Sequence, residues 1–319
     1  LTQFNTSAAL AARAHQQKLT KPPGSLGRFE TLAEFMAGWQ ERPDPRVDVA
    51  QAVIFAGNHG ICARGVNPFP VEVTAQMVEN FRNGGAAINQ ICRVAGAELS
   101  VIPLDLDRPT QDFTRDLAMS ADEVMQAMHA GGMAVNPRAQ VLVLGEMGIG
   151  NSTIAAALAA ATFGGTGADW VGPGTGSDAA GLSLKAQVVD EGLSRHAQAR
   201  STIETLMAFG GREQAAICGA ILRARELRIP VILDGFICSS AGAVLLRDDA
   251  EALDHCLVGH LSMEPGHRRL VVEMRKDPVL ALDMRLGEGS GAAVALLILR
   301  AALECHNGMA TFEEAGIRA

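Results

Sequence analysis

The residues best suited to chemistry lie in Met284-Arg-Leu-Gly-Glu-Gly-Ser-Gly-Ala-Ala293, where one carboxylate, Glu288, stands among glycines at 287, 289 and 291. An apolar run, 292–299, follows directly and reads as a buried helix. Glycine lets the backbone take φ > 0 and come close to a ligand, and the free N–H groups of a helix start favour an anion. An acid held there is either a helix cap or a reactive group.

Two further loops repeat this texture. Gly145-Glu-Met-Gly-Ile-Gly-Asn-Ser-Thr153 follows an apolar strand and opens an Ala-rich helix that Asn151 or Ser152 can cap. Its glycine order is not G-x-G-x-x-G, and a plain strand-to-helix turn explains the glycines as well as a nucleotide loop does. It does not explain Glu146, a carboxylate that is costly beside a closed sheet rim unless paired or used. Gly172-Pro-Gly-Thr-Gly-Ser-Asp178 also enters a helix, and its N–H groups form either a phosphate cradle or a structural turn. Lys185 lies seven residues past Asp178, on roughly the same helical face. A lone lysine is usually a solvated surface charge, and without Gly-Lys-Ser/Thr this is no Walker loop.

His255, His260, Glu264 and His267 are metal-ligand types, but Pro265-Gly266 interrupts them, so no single helical face presents them as H-E-x-x-H does. Hydrogen-bonding histidines and no metal are expected, and the same holds for His59. Ser262, beside His260, could complete an oxyanion or phosphate pocket. No Gly-x-Ser-x-Gly elbow supports acyl transfer.

The elements that must hold these loops are strands alternating with helices. Runs at 52–56, 99–104, 141–144, 169–171, 231–233 and 256–258 read as strands, most ending in glycine or polar residues. Helical patterns at 69–81, 86–94, 116–133, 152–162, 177–193, 213–227, 240–246, 265–275 and 292–305 separate or follow them. The alternation predicts an α/β fold, a doubly wound, mostly parallel, Rossmann-like sheet whose ligands bind beyond the carboxyl ends of the strands. Residues 1–46 read as helix, turn and helix, closed by Arg42-Pro-Asp-Pro45. With about 292–319 they are expected to form a small helical domain, leaving 47–291 as the α/β substrate-binding domain.

Composition narrows the function classes. The chain has 319 residues, 48% of them hydrophobic, enough for a large core. A net charge of -8 and 4% aromatics with no tyrosine argue against a nucleic-acid surface. The charge-free stretch 147–168 is broken by Gly, Asn, Ser and Thr, so no membrane span is expected. Six scattered cysteines without a C-x-x-C pair, and no apolar h-region in the first twenty residues, lead us to expect reduced thiols in a cytoplasmic protein. An NAD-dependent dehydrogenase would need a glycine fingerprint and an acid about 20 residues on, and neither is clear. A non-enzymatic nucleotide-binding module would have no use for Glu146 and Glu288.

Lys21-Pro-Pro-Gly-Ser-Leu-Gly-Arg28, Gly145-Glu-Met-Gly-Ile-Gly-Asn151, Asp234-Gly-Phe236, His260-Leu-Ser262 and Met284-Arg-Leu-Gly-Glu-Gly-Ser-Gly291 occur in order over nearly the whole chain. Together they resemble the nicotinate-nucleotide:dimethylbenzimidazole phosphoribosyltransferase family. That resemblance implies transfer of phosphoribose from nicotinate mononucleotide to 5,6-dimethylbenzimidazole, giving nicotinate and α-ribazole 5′-phosphate for cobalamin synthesis. It implies a homodimer acting on small molecules with no metal or other cofactor. By position, Glu288 resembles the general base, and Glu146 and Lys185 fall on polar site positions. Gly174, Thr175, Gly176 and Ser262 fall on the phosphate-binding surface, and Leu286, Met147, Met77 and Phe69 where the flat base would lie. The segment 67–77 departs from the family pattern, and Asn58 stands where aspartate is common, which bears on the choice of base rather than the reaction. A free glutamate near ~4.3 is a poor base at neutral pH, so partial burial against Leu286 is expected to raise it.

Overall fold

The computed structural model describes residues 2–174 and 176–318. Five strands form one sheet: β1 (Ala50–Ala56), β2 (Ala97–Pro103), β3 (Val141–Met147), β4 (Val231–Leu233) and β5 (Cys256–Val258). All pairings are parallel, in the order β2-β1-β3-β4-β5. Ala50 sits opposite Ala97 on one side and Val141 on the other, and Val231 is opposite Leu142 and Cys256. β1, β4 and β5 are buried throughout, as near-continuous apolar strands covered on both faces should be. The expected doubly wound α/β architecture is the one formed.

Strand order reverses between β1 and β3, and such a switch point opens a crevice beyond the carboxyl ends. The helices are α1 (Thr6–Gln16), α2 (Arg28–Gln40), α3 (Val73–Arg82), α4 (Ala87–Ala95), α5 (Ala121–Met133), α6 (Asn151–Phe163) and α7 (Gly167–Trp170). They continue with α8 (Ala179–Arg195), α9 (Thr202–Phe209), α10 (Arg212–Glu226), α11 (Phe236–Ala243), α12 (Pro265–Glu273) and α13 (Ser290–Gly308).

Alternation along β1 divides the interior. Val53 and Phe55 join Leu142 and Leu144 under α5, α6, α10 and α11, while Ala52 and Ile54 join Val141 and Val143 under α2, α4 and α13. Leu296, Leu299 and Leu303 of α13 share that second core with Leu32 and Met36 of α2. Both chain ends meet there: Gln16 bonds the His306 ring at 2.7 Å, and Leu19 bridges Thr311.

Two local expectations need correction. Residues 169–171 do not form a strand; they fall in and just after α7, whose start is fixed because the Thr166 N–H and hydroxyl both donate to Asp169, at 2.7 and 3.0 Å. A run as short as Asp169-Trp-Val171 cannot distinguish strand from helical turn, so the capping box decides. Trp170 is fully buried there, its indole N–H donating to the Gly164 carbonyl at 2.9 Å. The second correction is at the first helical pattern, which begins at Val73 rather than 69, since Pro70 disfavours helix in the residue before it. α9, not anticipated, is nucleated by a Ser201–Glu204 capping box.

Candidate active site

A cavity of about 230 Å³ opens over the carboxyl ends of β3, β4 and β5. Glu288 enters it from the turn before α13. Gly287, Glu288 and Gly289 all lie in the left-handed region, with φ of 80°, 63° and 79°. For the non-glycine residue this costs ~1–2 kcal/mol, so the surroundings must enforce it.

Several bonds do so. Asp234, just past β4, accepts the N–H groups of Gly289 at 3.2 Å and Ala292 at 2.9 Å, and the Ser290 hydroxyl donates to the Gly287 carbonyl at 2.7 Å. Gly145 of β3 permits the approach, because a Cβ there would lie 2.6 Å from the Gly289 nitrogen. The cap of α13 is therefore Asp234, from another strand. Glu288 is left without that task, and its side chain makes no hydrogen bond among the described residues.

Charge crowding then sets the titration. Glu288 is buried, and desolvation, followed by repulsion from Asp234, pushes its carboxyl up to about 7. Leu286, expected to supply that burial, is half exposed at the rim. Glu146, at the end of β3, is pushed up to about 8 by burial and then by Asp234, Glu213 and Glu288. Its carboxylate accepts from the Asn151 amide.

The opposite end of the cavity is built to meet an anion. Lys185 of α8 is not a surface charge but is almost wholly buried, its ammonium donating to the Ser152 hydroxyl and the Gly172 carbonyl, both at 3.3 Å. No carboxylate lies within ion-pair distance of it among the described residues. Burial lowers its pKa, opposed by Glu264. The Gly174 peptide is held on both sides: its N–H donates to Glu264 at 2.9 Å and its carbonyl accepts from Arg285 at 3.0 Å. The Ser262 N–H donates to the His267 ring at 3.0 Å, and its hydroxyl accepts the Glu264 N–H at 3.3 Å.

With an acid at one end and a buried cation at the other, comparison with known proteins is informative. A family model described as a phosphoribosyltransferase matches residues 1–317. The chain belongs to this phosphoribosyltransferase family. It is 59% identical over 313 residues to the nicotinate-nucleotide-dimethylbenzimidazole phosphoribosyltransferase of Rhodobacter capsulatus, covering 98% of this chain and 93% of that protein. It is 57% identical to the enzyme of the same name from Roseobacter denitrificans, covering 96% and 91%. Its fold matches the crystal structure of CobT from Thermus thermophilus with a TM-score of 0.93 and 37% identity, covering 98% of this chain and 99% of that one.

Within this phosphoribosyltransferase the remaining wall of the cavity is apolar. Phe69 and Leu286 stand half exposed at the mouth, and Met77 and Met147 lie deeper. Glu288, Glu146, Lys185, Ser262 and Gly174 line the same space, whereas Gly176, at φ 134°, does not. Thr175 lies outside the described residues. The histidines diverge: His255 bonds the Ile221 carbonyl at 3.0 Å inside the core, and His260 sits 3.6 Å from Asp234. Among the described residues no group of three suits a metal.

Asp234, Glu264, Asn151 and Arg285 were not singled out as site residues from sequence. Arg285 lies within the Glu288 motif and Asp234 follows a strand at the rim, which were available signals. A cap reaching across 55 residues has no spacing rule to reveal it.

Proposed function

We propose that the protein transfers 5-phosphoribose from nicotinate mononucleotide to 5,6-dimethylbenzimidazole, releasing nicotinate and forming α-ribazole 5′-phosphate. The observation that carries the reading is Glu288: a carboxyl free of its helix-capping duty, poised near neutrality, in a cavity with an apolar wall and a buried lysine. Phe69, Met77, Met147 and Leu286 hold the flat azole, while Lys185, Ser262 and Gly174 hold the phosphate.

Glu288 takes the N–H proton of the azole while its other nitrogen attacks the anomeric carbon. The bond to the pyridinium breaks, its electrons return to the ring, and nicotinate leaves without needing an acid. Attack opposite the leaving group inverts the β-linked sugar to α. Positive charge builds on the sugar in an oxocarbenium-like transition state, and the Asp234 carboxylate stabilises it. The reading extends to a homodimer, since exposed Phe69 and Leu286 leave apolar surface at the mouth. It also extends to a reducing compartment, in keeping with six free cysteines, and to a helical unit made of residues 1–46 and about 292–319.

Incubation with nicotinate mononucleotide and a panel of benzimidazoles, followed by mass detection, tests it. A riboside phosphate of the added base should appear together with an equal amount of nicotinate. Release of nicotinate without any riboside phosphate would point to hydrolysis and overturn the reading.

A further inference from the structure

The cavity's anion-binding end already contains an anion. Glu264, immediately before α12, is buried and lines the cavity, and one of its oxygens accepts the Gly174 N–H. The other oxygen is buried with no hydrogen-bond partner and is packed on Gly172, where a Cβ would lie 2.0 Å from it. Its charge is felt by Lys185, the buried cation that otherwise meets only a hydroxyl and a carbonyl.

We infer that Glu264 is an internal stand-in for the substrate phosphate, which must displace it from the Gly174 N–H to reach Lys185. This rests on the reading above, in which Gly174 and Lys185 receive the phosphate of the mononucleotide. A half-satisfied carboxylate is easily released, because one oxygen has nothing to lose. Held against the Gly174 N–H, it keeps the glycine loop in shape and partly neutralises a buried lysine. When a phosphate arrives, two anions cannot share the one N–H of Gly174. The carboxylate must turn away or take a proton.

Burial favours the second outcome, and the groups facing the carboxyl oppose it. Lys185 on α8 and Arg285 from the Glu288 segment pull its pKa down, the Gly174 N–H does the same, and His267 on α12 donates its backbone N–H to the Glu264 carbonyl at 3.0 Å. Burial outweighs these, so the carboxyl already stands above its ordinary value. Phosphate binding takes Lys185 away and adds negative charge, and both changes favour the protonated acid.

The test is calorimetric titration of nicotinate mononucleotide into the parent protein and Glu264→Gln, at about two units above the ~6 second pKa of a phosphate monoester and in two buffers of different ionisation enthalpy. The amide introduced by this substitution could still accept the Gly174 N–H but carries no charge. The variant should bind the mononucleotide at least ~10-fold more tightly, since a like charge at close range inside a protein is worth more than one decade of affinity. Nicotinate riboside, which lacks the phosphate, should bind both proteins equally. The parent should take up more protons on binding the mononucleotide than the variant, in which only Glu146 and Glu288 remain to respond. Weaker binding of both ligands by the variant, or equal proton uptake by both proteins, would overturn the inference and make Glu264 a scaffold. Failure of the parent to bind the mononucleotide at all would instead remove the functional reading, and the inference with it. A crystal of the unaltered protein soaked in inorganic phosphate gives a check free of folding effects. The phosphate should hold the Gly174 N–H with Glu264 turned aside, and a bound phosphate with the Glu264 bond still intact would refute displacement.

Discussion

Glu288 offers the sharpest test, because its ionisation falls inside the working pH range. Burial and Asp234 push its carboxyl up to about 7. Such a base is ionised in about one molecule in ten at pH 6 and about nine in ten at pH 8, so the step it serves should accelerate ~9-fold between them. An ordinary glutamate near ~4.3 would be almost fully ionised at both and give a flat profile. The azole also titrates, so the informative quantity is the ratio of kcat/KM for the parent to kcat/KM for Glu288→Gln, because kcat/KM reports ionisation in the protein before substrate binds. Gln keeps the shape and cannot take a proton, and at pH 8 it should lose at least ~100-fold. The ratio should shrink ~9-fold on going to pH 6, because only the parent loses its base there. Asp234→Asn removes the second cause of the shift, so the midpoint should move down while the part due to burial stays. A ratio that is constant from pH 6 to 8 would refute the reasoning, however large the loss.

Two further predictions concern the other buried charges. Glu146 holds its proton to about 8 when folded but releases it near the ordinary value when unfolded, so the native state binds more protons between those limits and loses stability as pH rises through them. Glu146→Gln removes that loss, and the Tm difference between variant and parent should widen in the variant's favour from pH 5 to 9, as read by scanning calorimetry. A gap independent of pH would count against the shift. Lys185→Met replaces a buried cation that has no close counter-ion with an apolar chain of similar length. KM for the mononucleotide should rise at least ~10-fold while Tm is unchanged or higher, and a large fall in Tm would mean that the ammonium is structural.

How much could be read in advance follows from the range of each interaction. Strand positions were legible because runs such as Val141 to Leu144 are apolar on both faces, and only a parallel sheet buried on both sides demands that. The run at 169–171 misled because it is short, and the capping box that makes it helical lies largely outside it. At the site, Glu288 was conspicuous among its glycines, but the reason it stays uncapped was not, since Asp234 is far away in sequence. Lys185 taken alone looked like a surface charge. Its burial comes from the 172–174 loop folding over α8, a tertiary event that no helical spacing records.

Trp170 carries a practical consequence. The chain has no tyrosine and only one other tryptophan, Trp39, which is also buried. Near-ultraviolet emission therefore comes from two fluorophores, and one of them stands two residues before Gly172, under the Arg269 guanidinium at 4.4 Å. Any tug on the glycine loop reaches that indole almost directly, so the molecule carries its own optical gauge of loop position, and no dye has to be attached.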